Sequence, residues 1–253
     1  MYAEERQGEI ARQARSQGRV EVADLAVAFD VSLETIRRDL TALERSGVVR
    51  RVHGGAIPAE RLRHEPALAV RAGSHTDEKR RIAEAALAEL EGAETVLLDA
   101  GTTTGRIAEI LPGGRELTVV TNALPIAMTL AARSDITVHL LGGRLRQRTL
   151  ATVDHVALQG LADISVDVAF VGANGISVER GFTTADPSEA AVKRAMVASA
   201  RRVVVVADSS KVGDDQFARF ASVDEVETLV IDGGVDPRVA ANLEAAGPRV
   251  VIA

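Results

Sequence analysis

The stretch Val31-Ser32-Leu33-Glu34-Thr35-Ile36-Arg37-Arg38-Asp39-Leu40 decides how the first part of this chain folds. Asp30-Val31-Ser32 reads as a tight turn, and Ser32 suits the capping of a helix running from Leu33 to Ser46, with Gly47 placed to end it. Ile36, Leu40 and Leu43 recur at i, i+4 and i+7 and give that helix an apolar stripe to bury. The opposite face carries Glu34, Arg38, Thr41 and Arg45, with Thr35 and Arg37 to the sides.

The flanks supply what such a helix packs on. Residues 4–17 favour a helix with Ile10 and Ala14 on one side, ended by Gly18, and Val22 to Phe29 reads as a second helix presenting Leu25, Ala26 and Phe29. Val20 to Val22 reads as a short connection between them. After the third helix, Val48 to Gly55 predicts a short β-hairpin, whose glycines allow close backbone approach. Two short helices joined by a tight turn, then a hairpin wing, suit insertion of the second helix into a DNA major groove. Residues 37–51 hold five arginines (37, 38, 45, 50 and 51) against Asp39 and Glu44, a local charge of +3 in a chain whose net charge is −6. Any DNA site is therefore a local patch. Ser32, Thr35, Arg37, Arg38 and Arg45 are expected to meet phosphates and base edges, and Arg50, Arg51 and His53 to hold the wing to phosphates or the minor groove. The competing reading of residues 1–55 is a three-helix adaptor that binds protein, its arginines merely solvated.

Aromatic residues make up 2% of the chain, which leaves few platforms for stacking single-stranded bases. With no cysteine there is no disulfide or thiol chemistry, no apolar run is long enough to span a membrane, and a cytoplasmic location is expected. Histidines 53, 64, 75, 139 and 155 show no metal-ligand spacing, so neither metal nor cofactor is expected. Of 30 basic residues only Lys79, Lys193 and Lys211 are lysines. Where Arg is used almost everywhere, a retained Lys marks a place for a compact ammonium or a chance survivor.

The expected division is a winged helix-turn-helix over 1–57, a linker over 58–75, and an α/β domain over 76–253. Thr76 could cap a helix running from Asp77 to Leu90. Beyond it, apolar strands at Thr95–Leu98, Leu117–Thr121, Ile136–Leu141, Val168–Val171, Val203–Ala207, Thr228–Ile231 and Arg249–Ile252 alternate mostly with helical stretches, the pattern of a largely parallel sheet covered on both faces. Ligands of such sheets bind at the carboxyl ends of strands. Here those ends are polar and glycine-rich: Asp99 to Gly105 with Gly101, Thr102, Thr103 and Thr104; Thr121-Asn122; Gly142-Gly143; Gly172 to Gly175 with Asn174; and Asp208 to Lys211. Amides and hydroxyls at the start of the helix after Asp99 would cradle a phosphate, although the loop alone is equally consistent with an ordinary strand-to-helix turn. Asp186-Pro187-Ser188-Glu189 reads as a helix cap closed by a capping box, and Gly181 to Thr184 as a loop within reach of a ligand.

The strings VSLETIRRDL (31–40), Leu43-Glu44 and RRVHGGA (50–56) closely resemble the signature of the DeoR family of bacterial regulators. The second half resembles the same family, whose sensor domain looks like that of ribose-5-phosphate isomerases. This resemblance implies double-stranded operator DNA and a sugar-phosphate effector as partners, a homo-dimer or homo-tetramer, and effector contacts at Asp99, Gly101, Thr102, Thr103, Thr121, Asn122, Asn174 and Lys211. The opening Tyr2 to Gln7 and the run Glu189 to Met196 resemble the fructose-operon branch, which implies a fructose phosphate. One departure stands out: Val153-Asp154-His155 occupies the place of the family's usual Val-Gly, which would reshape the pocket mouth. The alternative function is a phosphosugar isomerase with an added DNA-binding domain. In the isomerase-like segment, however, the acidic Asp-Gly-Ala-Asp appears as Val171-Gly172-Ala173-Asn174, and an amide cannot abstract a proton from carbon. Asp99, Asp208 and Glu189 remain as substitutes for that base.

Overall fold

A computed structural model describes residues 3–46, 48–52, 54–58, 66–114 and 116–253. The chain forms two compact units, Met1–Glu65 and Pro66–Ala253.

The first unit packs helices α1 (Ala3–Gln17), α2 (Val22–Phe29) and α3 (Leu33–Arg45) on strands β1 (Val20–Glu21), β2 (Val49–Val52) and β3 (Gly55–Pro58). Asp30, in the left-handed region at φ 51°, makes the turn between α2 and α3, and the Ser32 hydroxyl accepts the Thr35 N–H at 3.1 Å. Ile10, Ala14, Leu25, Ile36, Leu40 and Leu43 close the core. Val20 and Glu21, expected as a connection, instead pair with β3 to complete a three-stranded sheet in the order β1-β3-β2. That pairing explains Gly55: a Cβ there would stand 2.0 Å from the Val20 carbonyl oxygen. Gly47, expected to end α3, lies outside the described residues.

Asp39 does not offset the arginine face. It falls on the stripe of Ile36, Leu40 and Leu43, is buried, and receives Arg6 Nε at 2.6 Å and Gln7 Nε2 at 2.9 Å from α1. The carboxylate is neutralised inside, so it does not reduce the positive charge of the outer face.

In the second unit, β4 (Thr95–Leu98), β5 (Leu117–Thr121), β6 (Ile136–Leu140), β9 (Val166–Gly172), β12 (Ala200–Ala207), β14 (Thr228–Ile231) and β15 (Arg249–Ile252) form one wholly parallel sheet. Its order is β15-β14-β12-β9-β4-β5-β6. All seven strands were legible as apolar runs; the inner ones are covered on both faces, whereas the edge strands β6 and β15 are largely exposed. Leu97, Val120, Val171 and Val205 belong to the core on one side, and Val96, Leu98, Val119, Phe170 and Val206 to the core on the other.

The smaller strands were not foreseen: the hairpin β7 (Arg144–Arg146) with β8 (Ala151–Val153), and an antiparallel sheet of β10 (Gly175–Ser177), β11 (Gly181–Thr184) and β13 (Ala218–Ala221). With three or four residues each, they are too short to show an alternating pattern.

Residues 66–75 correct the expected linker. They include a short helix, α4 (Leu68–Ala72), whose Leu68 N–H donates to the Arg148 carbonyl at 3.1 Å, and they belong to the second unit. Helix α5 (Thr76–Ala86) follows and tightens into a 3-10 turn over Leu87–Leu90. Its cap position is His75, left-handed at φ 51°, and not Thr76. The remaining helices are α6 (Thr102–Glu109), α7 (Leu124–Leu130), α8 (His155–Ala162), α9 (Pro187–Ser199) and α10 (Pro237–Ala245).

Candidate effector pocket and nucleic-acid interface

The strand order reverses direction at β4. From there the chain runs outward through β5 and β6, then returns to β4's other side with β9 and continues through β12. Such a switch point leaves a crevice beyond the carboxyl ends of neighbouring strands. The structure places a cavity of about 40 Å³ there, lined at the end of β4 by Ala100 to Thr104, after β9 by Gly172 to Asn174, and after β12 by Ala207, Asp208 and Lys211. Arg71 of α4, Lys79 of α5, and Glu189 and Lys193 of α9 complete the wall.

Lys79, Lys193 and Lys211 are the only lysines in the chain, and all three line this cavity. With Arg71 they surround the N-terminus of α6, whose first amides and partial positive charge also favour an anion. Lys79 is buried, and its Nζ donates to the carbonyls of Arg71 and Ser74, each at 2.5 Å. Burial lowers its pKa to about 8; Lys211, Arg71 and Arg106 push the same way, against the opposing pull of Asp208. For Asp208, burial favours the neutral acid, yet Lys211, the Ser210 hydroxyl, His75 and Lys79 together hold it below the ordinary carboxylate range.

Of the sequence-predicted effector residues, Gly101, Thr102, Thr103, Thr104, Asn174 and Lys211 line the cavity; Asp99, Thr121, Asn122 and Gly142 do not. Asp99 lies beneath it, ion-paired with Lys193 and accepting the Gly172 N–H at 3.0 Å. Lys193 Nζ also reaches the Gly172 carbonyl at 2.9 Å and stands 5.4 Å from the centre of the Phe220 ring. The Thr121 hydroxyl donates to the Leu98 carbonyl at 2.6 Å, while Asn122 accepts the Ala100 N–H at 3.0 Å and donates to the Thr152 carbonyl at 3.1 Å. Those two residues thus tie β5 to the turn that shapes the cradle. The Thr104 hydroxyl is engaged by the Gly101 carbonyl at 3.1 Å, and the Asn174 side-chain oxygen accepts the Thr184 hydroxyl at 2.9 Å. Gly142 packs under α8, where a Cβ would meet Val156 at 3.1 Å.

Sequence reasoning missed Lys79, Lys193 and Glu189 as lining residues. The scarcity of lysine was the available signal for the first two. Glu189 was expected to close a capping box. Asp186 does cap α9, accepting the Ser188 and Glu189 N–H groups at 2.9 and 3.1 Å, but the buried Glu189 carboxylate turns to Arg146 at 3.0 Å and the Thr149 hydroxyl at 2.5 Å. The departure at Asp154 is a backbone feature too: this residue stands at φ 73° and pairs with Arg144 at 2.6 Å.

In the first unit, Glu34, Arg37, Arg38, Thr41, Arg45 and Arg51 line an open groove along the outer face of α3. Arg37 and Arg38 lie 3.7 and 4.0 Å from Glu34, and Arg51 donates to the Thr41 hydroxyl at 3.2 Å. Ser32 is exposed and Thr35 half-buried at the start of α3; Arg50, on β2, is half-buried and does not line the groove. His53 lies outside the described residues. Among the described residues no helix is long and apolar enough to cross a membrane, and no group of side chains is arranged to hold a metal ion.

A winged helix-turn-helix with a cationic groove, joined to an α/β unit with an anion-friendly pocket, defines a ligand-responsive DNA-binding regulator. The chain belongs to the DeoR family: residues 6–61 match the DeoR-like helix-turn-helix domain and residues 74–233 the DeoR C terminal sensor domain. It is similar to the HTH-type transcriptional regulator GlpR of Haloferax volcanii, 38% identical over 91% of this chain and 90% of that one. It is similar also to the uncharacterized HTH-type transcriptional regulator FruR of Bacillus subtilis, 34% identical over 92% of each chain, and to the glycerol-3-phosphate regulon repressor of Escherichia coli, 31% identical over 92% of each. Among solved structures, ribose 5 phosphate isomerase A from Neisseria gonorrhoeae aligns with 53% of this chain, covering 52% of its own, at 20% identity and a TM-score of 0.39, too slight a likeness to carry an argument. The protein is thus a transcriptional regulator and not an enzyme, which sets aside the isomerase alternative.

Proposed function

We propose that this protein is a cytoplasmic repressor of a sugar-utilisation operon that leaves its double-stranded operator when a phosphorylated sugar, with fructose phosphates foremost, fills the pocket of the second unit. The observation that carries this reading is the convergence of the chain's only three lysines on one cavity at the N-terminus of α6. The phosphate lies over the amides of Gly101, Thr102 and Thr103, between Lys79 and Lys211, while Asn174 and Glu189 meet the sugar hydroxyls. Asp99, Thr104, Thr121, Asn122 and Gly142 hold the cradle in shape. A relative named for the glycerol-3-phosphate regulon, together with the resemblance to the fructose-operon branch, supports this effector class. On the DNA side, Ser32, Thr35, Arg37, Arg38 and Arg45 meet the major groove, and Arg50, Arg51 and His53 the backbone beside it. The chain acts as a homo-dimer or homo-tetramer that pairs its DNA heads on repeated half-sites, and the effector favours an arrangement in which they no longer match. A coupling of about 1–3 kcal/mol loosens the operator roughly 5- to 150-fold.

Replacing Lys211 by Ala is expected to leave operator affinity unchanged and to abolish release by fructose 1-phosphate, as read by fluorescence anisotropy of labelled operator. Release equal to that of the native protein would remove Lys211 from the site.

Effector affinity is also expected to depend on pH through Lys79. The native pKa of about 8 lies below the ordinary lysine value of 10.5. Between these values the unfolded chain keeps a proton that the empty folded one has released, so the empty sensor gains stability as pH rises. A phosphate dianion needs the charged ammonium, so its affinity falls as pH climbs through 8, by up to about tenfold per unit. Calorimetric titration with fructose 1-phosphate from pH 7 to 9.5 reads this directly; a flat profile contradicts it.

A further inference from the structure

We infer that helix α4 is the movable wall of the pocket, and that Lys79 is the latch that holds it in place until an anion arrives. This inference rests on the effector reading above.

The cavity at the switch point, partly open to solvent, measures about 40 Å³, whereas small-molecule sites run to roughly 300–1,000 Å³. A sugar phosphate therefore requires part of the wall to give way. The walls differ in how firmly they are held. Helix α5 buries Ile82, Ala83 and Ala86 against the sheet, and α6 buries Thr104, Ile107 and Ala108. Helix α9 buries Ala190, Val192 and Met196 and is tied by Lys193 to Asp99 below. Helix α4 has five residues, none of them buried, and Val70 at its middle is 64% exposed.

Among the bonds that hold this helix, two stand at its ends. At its start the Leu68 N–H meets the Arg148 carbonyl, and at its end Lys79 Nζ spends two of its three protons on the carbonyls of Arg71 and Ser74. Between α4 and α5 stand Gly73, Ser74 and His75, the last in the left-handed region at φ 51°, which costs energy for a non-glycine residue. An anion at the N-terminus of α6 offers Lys79 a fully charged partner in place of neutral carbonyls. As the ammonium turns to it, the Arg71 carbonyl keeps the Ser74 hydroxyl at 3.2 Å but loses the ammonium, the Ser74 carbonyl loses the ammonium as well, and the strained turn at His75 relaxes. Helix α4 then swings with residues 73–75 as its hinge, and the bond from the Leu68 N–H to the Arg148 carbonyl at its far end gives way. In the sequence only seven residues, 59–65, separate the last strand of the DNA-binding unit from Pro66. Pocket occupancy thus changes the point from which the chain leads to the DNA head.

The absence of native cysteine permits a clean test in the full chain. Val70→Cys, outside the pocket, is labelled with a nitroxide and titrated with fructose 1-phosphate and, separately, with inorganic phosphate. The label's mobility is expected to rise in step with fructose 1-phosphate binding, and with inorganic phosphate wherever that ion binds. In a labelled Lys79→Gln background, mobility should be high from the start and no longer respond. Circular dichroism establishes that this variant is folded; should it not be, the labelled native background decides alone. An unchanged spectrum while fructose 1-phosphate binds and operator is released would overturn the latch and leave the effector reading standing. Failure of every sugar phosphate to bind would overturn both.

Discussion

Replacing Lys193 by Met is expected to destabilise the second unit by about 3–5 kcal/mol, the cost of leaving a buried charge without its partner. Asp99 is 1% exposed and Lys193 4%, so water cannot replace the lost ammonium. Lys193 also spans β9 through the Gly172 carbonyl and lies near the Phe220 ring, so its loss loosens the floor of the cradle as well as the ion pair. For a unit of this size the melting temperature should fall by roughly 6–20 °C. Removing both charges, as Lys193→Met with Asp99→Asn, should recover part of the loss, because the uncompensated carboxylate is then gone. Urea unfolding followed by circular dichroism measures all three proteins. A single variant within 1 kcal/mol of the native protein would show that the pair is neither tight nor dry.

On the DNA side, Arg38→Ala is expected to weaken operator binding by about 1–3 kcal/mol, or roughly 5- to 150-fold, while effector affinity and melting temperature stay as they are. Arg38 projects from the outer face of α3, and its only charged neighbour among the described contacts is Glu34, 4.0 Å away, so nothing in the fold depends on it. Two outcomes separate its roles. If it reads a base, discrimination between operator and random DNA shrinks; if it touches only phosphate, affinity falls for all sequences and the salt slope drops by about one. Loss of both DNA and effector binding would mean that the substitution has damaged the fold.

The large elements were legible because each is driven by a repeating burial pattern. Helix α3 has its apolar stripe and a serine cap, and the seven strands of the sheet are short apolar runs. The polar strand ends pointed to the rim at which the cavity lies. What stayed hidden depends on contacts between distant residues. Nothing near Asp39 announces that Arg6 will neutralise it, although its position on the stripe of Ile36 and Leu40 was a hint. Asp99 and Lys193 are 94 residues apart, so the pairing that buries Asp99 beneath the cavity cannot be read from either segment. Glu189 satisfies the local grammar of a cap, yet its carboxylate answers to Arg146 and Thr149 across the fold. Helix α4 looked like linker because it is short and has no buried face; tertiary bonds to Arg148 and Lys79 fix it.

The most direct test is operator binding by the full-length protein, using DNA from upstream of its own gene, with and without a panel of sugar phosphates led by fructose 1-phosphate. Tight, salt-sensitive binding that one phosphorylated sugar weakens 5- to 150-fold is the predicted result. Binding that no sugar phosphate alters, or no binding across a range of salt, would contradict the claim that pocket and DNA head are coupled through a phosphorylated effector.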